Sequence, residues 1–159
     1  PFGVCSCSAQ DENYPATRLA LHTADSKGWQ SPRMPPEYVT WPLELGLAFT
    51  GEVHIQQIQL LAHECKIPKK IDVWIGEAAS SDAPATSSGR YEICSFKRLG
   101  HITLQSNQQS NYRARELKTV DISAHAVYLK LLVHPCHPCP YNRYNQVGLI
   151  AISVLGSGA

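Results

Sequence analysis

Apolar residues fall at every second position in run after run of this chain. Leu43, Leu45, Leu47 and Phe49 alternate with Glu44, Gly46 and Ala48, which predicts a strand with one buried face. A second run starts at Val53 and Ile55 and continues at Ile58, Leu60 and Ala62. Its apolar phase slips by one residue near Gln56-Gln57, and the slip predicts a β-bulge, because one extra residue reverses the facing of everything after it. Ile71, Val73 and Ile75 alternate with Asp72, Trp74 and Gly76; shorter runs follow at Ile102 and Leu104 and from Leu117 to Ile122. Val127, Leu129, Leu131 and Val133 alternate with Tyr128, Lys130, Leu132 and His134, so those four are expected in the core. The stretch from Val147 to Leu155 is apolar on both faces and predicts a central strand.

Gly, Pro, Ser and Asn punctuate these runs. The prolines of Ser31-Pro32-Arg33-Met34-Pro35-Pro36 hold that segment extended. Residues 80–89 are small and polar and predict a mobile loop; 106–111 form a second polar connector. No long stretch has helical period, and no repeat is present. Many short strands with turns between them predict an all-β fold, an antiparallel β-sandwich of jelly-roll type, although a barrel shares the pattern.

The length, 159 residues, suits one domain with a real core. We expect that domain over residues 1–156, with 157–159 (Ser157-Gly158-Ala159) starting a flexible linker. The chain begins at Pro1 without a leader-like apolar run, which predicts a piece of a longer protein. No apolar stretch approaches the ~20 residues that cross a bilayer. Fourteen basic residues face thirteen acidic ones, so charge gives no reason to expect nucleic acid or an anionic membrane as partner.

Candidate chemistry is sparse. His134-Pro135-Cys136-His137-Pro138-Cys139 has the thiol spacing of half a tetrahedral zinc site, yet the other half is missing, because Cys5 and Cys7 are too closely spaced for a zinc knuckle. We therefore expect no metal and no cofactor, and the six cysteines are expected reduced. There is no Gly-x-Ser-x-Gly elbow and no His-Glu-x-x-His helix. His63-Glu64 stands at a strand end without a second His four residues on. No catalytic residues are assigned, and an enzyme is the least expected class.

Two loops combine aromatic and basic residues: Gly28-Trp29-Gln30-Ser31-Pro32-Arg33 and Pro140-Tyr141-Asn142-Arg143-Tyr144-Asn145-Gln146. Trp, Tyr and Arg dominate protein–protein hot spots. For Trp29 the competing expectation is burial against the sandwich edge.

Trp29, Trp41-Pro42-Leu43-Glu44-Leu45-Gly46 and Ile55-Gln56-Gln57-Ile58-Gln59-Leu60 resemble the early strands of discoidin-like (galactose-binding-domain-like) jelly rolls, and 127–131 and 147–156 resemble the closing pair. A narrower combination runs through Gly28-Trp29-Gln30-Ser31-Pro32-Arg33, Leu60-Leu61-Ala62-His63, Arg98-Leu99-Gly100, 114–120 and Tyr144-Asn145-Gln146-Val147. It is similar to the N-terminal jelly-roll domain family of centrosomal protein of 104 kDa. That resemblance implies a cytoplasmic, microtubule-associated protein of the centrosome, centriole and cilium tip. It also implies ciliary or centriolar protein partners, with tubulin a speculative one for this domain. The resemblance further implies a loop end where Trp29, Arg33, Arg143 and Tyr144 share one partner-binding patch. The reading is a non-enzymatic docking module; the alternative is a carbohydrate- or other small-ligand-binding jelly roll with Trp29 as stacking platform. Discoidin-like domains often tie their termini with a disulfide; here nothing follows Cys139 to pair with Cys5 or Cys7, which speaks against an extracellular sugar or lipid role.

Overall fold

A computed structural model describes residues 1–20, 25–33, 39–77 and 88–158. Among the described residues seven strands form: β1 (Phe2–Cys7), β2 (Trp29–Gln30), β3 (Leu43–Ala62), β4 (Lys70–Gly76), β5 (Phe96–Thr103), β6 (Leu117–Val133) and β7 (Gly148–Gly158). All pair antiparallel in the order β2-β7-β3-β6-β4-β5, with β1 added beside β3.

The expected runs exist, but two pairs of them are fused. Leu43–Phe49 and Val53–Ala62 belong to one twenty-residue strand, and 117–122 and 127–133 to one of seventeen. The register between β3 and β6 shifts between Ala48 and Val53 instead of breaking. The β-bulge expected at Gln56-Gln57 is present. Ile55 faces Gly156 while Gln57 faces Leu155, so two steps along β3 match one along β7. These irregularities divide the ribbon into two layers. The first half of β3 pairs with β1 and with the end of β6, which carries β4 and β5. The second half of β3 pairs with the start of β6 and with β7.

One apolar cluster joins the layers. It takes Leu43, Leu45, Leu47, Leu129, Leu131 and Val133 from one side and Ile55, Ile58, Leu60, Leu149 and Ile152 from the other. That shared core makes the fold the expected antiparallel β-sandwich. Val127 is buried, but it joins Tyr91 and Tyr128 in a second, smaller cluster, while Ala126 turns to the main core. The register shift opposite Ala48–Val53 is the cause, since a shift exchanges the two faces of the strand.

Three other expectations change. β7 lies second from one edge and not at the centre, because the two-residue β2 covers its outer side. β7 also runs on through Ser157 and Gly158, which pair with His54 and Val53, so the expected linker does not start there. Residues 88–93 form a short helix, α1 (Ser88–Ile93), where 88–89 were assigned to a loop. The rest of the 80–89 loop, and 34–36, lie outside the described residues. The 106–111 connector contains a single 3-10 turn, Gln108–Ser110.

The ladder between β4 and β6 continues past its last strand pair. Ile71 faces Val133, His134 N donates to Lys70 O, Lys69 N donates to Pro135 O, Pro68 bridges Cys136, and His137 N donates to Ile67 O. Segment 67–70 is thus laid in register along 134–137, which carries the core's geometry into the loops at that end.

Candidate functional site

The loop end rests on a buried polar platform. Asp11, Gln30, Ser31, Asn142 and Gln146 are all buried, and each is hydrogen-bonded. Gln146 Nε2 donates to Ser31 O (2.6 Å) and to Asp11 Oδ2 (3.3 Å). Asn142 Nδ2 donates to Gln146 O (2.8 Å), and its Oδ1 accepts from Gln146 N (3.0 Å). Ser31 Oγ accepts from Val147 N (2.9 Å). Asp11 Oδ1 accepts from Asn13 N (2.9 Å). Buried polar groups cost stability unless paired, and paired they fix one geometry. The platform therefore clamps the 9–14, 30–33 and 142–147 segments into one body.

Above it lies an open depression of about 270 Å³ lined by Arg33, Lys66, Tyr141, Arg143, Tyr144 and Gln146. Arg33 Nε pairs with Asp11 Oδ2 at 3.2 Å, and its guanidinium sits 5.9 Å from the centre of the Tyr144 ring. Lys66 Nζ donates to Gln30 Oε1 at 2.5 Å and lies 6.0 Å from the centre of the Tyr14 ring. Burial pushes the Lys66 ammonium below the ordinary lysine range, with Arg33 adding repulsion that Asp11 and Glu64 oppose. Glu64 is itself engaged, accepting from Arg115 Nε at 2.8 Å. Tyr141 and Tyr144 are exposed, at 65% and 47%, large for aromatic rings on a folded surface. Tyr141 also meets Tyr112 edge-on, with ring centres 5.8 Å apart.

Lys66 is set by a turn that His63 holds. His63 Nδ1 accepts the backbone N–H groups of Cys65 (3.1 Å) and Lys66 (3.2 Å). An imidazole accepting at Nδ1 is neutral, and burial lowers its pKa from 6.5 to about 4.

Of the expected patch, Arg33, Arg143 and Tyr144 come together here. Trp29 does not join them. It is fully buried in the main core, and its Nε1 donates to Ala9 O at 3.0 Å. Gly28 is the reason. Its φ of +67° and its lack of a side chain let the backbone press onto Leu149 and Ile150, where an added Cβ would stand 2.0 Å from Leu149 O. Trp29 then pairs with Leu149 in β2, and the ring turns inward. Lys66 and Tyr141 are gained in its place. Nothing local in the sequence marks Lys66, which stands among other lysines.

The His134–Cys139 cluster disperses. His134 Nε2 lies 2.7 Å from Asp72 Oδ2, and Arg98 holds Oδ1 of the same carboxylate at 3.0 Å. Burial would raise the Asp72 pKa, but these two partners more than offset it and hold it low. His137 Nε2 donates to Leu104 O at 2.6 Å. Among the described residues no group of three or more His, Cys, Asp or Glu gathers as metal ligands would. The six cysteines are free thiols; burial raises Cys5 and Cys65 to about 11, which leaves them poor nucleophiles at neutral pH.

Three comparisons bear on this site. The family model described as "Centrosomal protein CEP104, N-terminal domain" matches residues 28–156. The Centrosomal protein of 104 kDa of Homo sapiens is 36% identical over 159 residues, and that of Mus musculus 34% over 158; each alignment covers 99% of this chain. The chain spans only 16% of the length of these curated relatives. Among solved structures, a family 32 carbohydrate-binding module of Clostridium perfringens NanJ in complex with galactose superposes with a TM-score of 0.64 at 9% identity, over 97% of this chain and 98% of that one. Reduced XRCC1 bound to the DNA polymerase β catalytic domain superposes at 0.63 with 15% identity, over 98% and 96%. At these identities the structural likenesses establish the discoidin-like jelly-roll fold and nothing further.

Proposed function

This chain belongs to the family of the centrosomal protein CEP104 N-terminal domain, and from that premise we propose that it is a non-enzymatic docking module. It would hold a centrosomal or centriolar protein at the loop end. One observation carries the reading: Arg33, Lys66 and the Tyr141–Tyr144 loop with Arg143, three segments far apart in sequence, meet in one open depression on a hydrogen-bonded polar floor. Exposed aromatic rings beside arginines supply apolar burial and charge-assisted bonds together, the usual composition of an interface hot spot. The depression is open and lined by charged and aromatic side chains, which suits side chains of a partner.

The non-catalytic character is supported by the histidines, since His63 spends its Nδ1 on backbone donors and His137 its Nε2 on a carbonyl. The relatives' name supports a centrosomal and centriolar setting in the cytoplasm; placement at the cilium tip, and tubulin as one partner, extend the same reading. The alternative, a sugar-binding jelly roll like the galactose-bound neighbour, loses its expected stacking platform with the burial of Trp29.

The test uses the full-length parent protein with Arg143→Glu and Tyr144→Ala, expressed in ciliated cells. The variant should lose at least one centrosomal protein that the wild type retains, and that protein should bind the purified wild-type domain directly. A variant that retains every wild-type partner overturns the reading, as does tight binding of free galactose in the depression.

A further inference from the structure

The charge around the depression is unbalanced in a chain that is otherwise nearly neutral. Three cations line it, Arg33, Lys66 and Arg143, and among the described residues the buried carboxylate beneath them is Asp11. Glu64, the next carboxylate, is taken by Arg115. Among the described residues, three cations thus line one small surface above a single buried carboxylate, against a net +1 for the whole chain. Lys66 makes the imbalance costly. Its ammonium is half-buried and its bonded partner Gln30 is neutral; Arg33 repels it, and Asp11 and Glu64 offset the burial only in part. An anion placed beside it would replace the lost hydration, which is how partly buried cations are stabilised.

The arrangement also says what kind of anion. The cations come from three segments of the chain, 30–33, the turn at 63–66 and 140–146. Arg33 is held through Nε by Asp11 and lies against Tyr144, whereas Lys66 is held by Gln30 on the 63–69 turn. Fixed to different segments, they present separate binding points, which suits separate carboxylates along an extended chain better than the single centre of a phosphate. The exposed rings of Tyr141 and Tyr144 stand beside them and offer apolar surface between charges.

We propose that the depression formed by Arg33, Lys66, Arg143, Tyr141 and Tyr144 binds an acidic protein segment, with glutamate or aspartate carboxylates on the cations and an apolar side chain against the tyrosines. This rests on the docking reading above and names the chemistry of its partner. Recognition of this kind is salt-sensitive and depends on carboxylate charge more than on one fixed sequence.

The experiment measures fluorescence anisotropy of the purified domain with three labelled peptides of one length. One is glutamate-rich around a leucine, the second replaces each glutamate by glutamine, and the third carries a single phosphoserine with glutamine elsewhere. The glutamate peptide should bind at least about tenfold more tightly than the glutamine peptide, the difference expected from one or more charge-assisted contacts, and should weaken with added salt. Lys66→Gln and Arg143→Gln should each reduce that binding several-fold with the melting temperature held, while Lys97→Gln, on the distant strand β5, should leave it unchanged. Equal binding of the glutamate and glutamine peptides, preference for the phosphoserine peptide, or indifference to both pocket variants overturns the proposal. If the glutamate peptide fails while the parent variant described above still loses its partner, the acidic-segment inference falls and the docking reading stands.

Discussion

Leu131 and Gln146 are both shut off from solvent, and they are held in opposite ways. Leu131 pairs with Leu45 and Val73 across two ladders and packs into a cluster of aliphatic side chains. Gln146 is gripped by directed bonds to Ser31, Asp11 and Asn142. The core tolerates any shape that fills its space; the platform tolerates only partners with the right donors in the right places. A body of the first kind makes the fold, and one of the second kind orients a binding surface on it. Breaking each should therefore give different losses.

The largest loss is expected in the core. Leu131→Ala should lower unfolding stability by ~2–5 kcal/mol, through lost apolar burial and the cavity left behind. Urea denaturation measures it, and a change under ~1 kcal/mol would contradict the burial seen here.

Next comes acidification. The pKa of His63 is depressed in the folded chain to about 4 from 6.5, so below 6.5 the unfolded chain takes the proton first. Stability should be fully present above pH 6.5 and should fall toward pH 4, by ~2–3 kcal/mol from this group. The groups that face it are Glu64, Lys66 and Arg115. His63→Asn, which keeps an acceptor without a titrating ring, should flatten the stability profile between pH 7 and pH 4 by ~2–3 kcal/mol. Identical profiles in both proteins would show that the ring takes up its proton alike in the folded and unfolded chains, against the depressed pKa.

The platform should cost less than the core. Gln146→Leu removes a donor from Asp11 and Ser31 and should cost ~1–3 kcal/mol, the range for stranding buried polar groups. It should also loosen Arg33, because Asp11 is the shared partner. A stability loss with acidic-peptide binding intact would separate floor from surface. The smallest effect belongs to the surface itself. Arg143→Gln should move stability by no more than ~0.5 kcal/mol, because its side chain is exposed.

Much of the core was legible in the sequence, because period-two alternation reports burial directly. Leu43 to Phe49, Ile71 to Ile75 and Leu129 to Val133 needed no more than that. The fusion of the runs into long strands was not legible, since a register shift leaves the hydrogen-bond ribbon intact while breaking the apolar phase that a reader follows. At the site, composition found Arg33, Arg143 and Tyr144. It could not settle Trp29, whose place was decided by the backbone at Gly28. The bond from Gln146 to Asp11 joins residues 135 positions apart, and polar side chains of that kind look like ordinary loop residues until the fold brings them together.

The ladder that runs on from Ile71 and Val133 to Ile67 and His137 acts as a measuring stick. It meters the distance from the core to Lys66 on one side and toward Tyr141 on the other in whole residues. Side chains on that rim can vary while the geometry stays, but its length cannot. One residue inserted between 66 and 70 would either bulge outward or slide the turn by one step, and a slide would carry Lys66 away from Gln30 and from Arg33. Spacing in the two loops should therefore be under stricter selection than identity, and a docking surface of this kind should change its partner by substitution far more readily than by insertion.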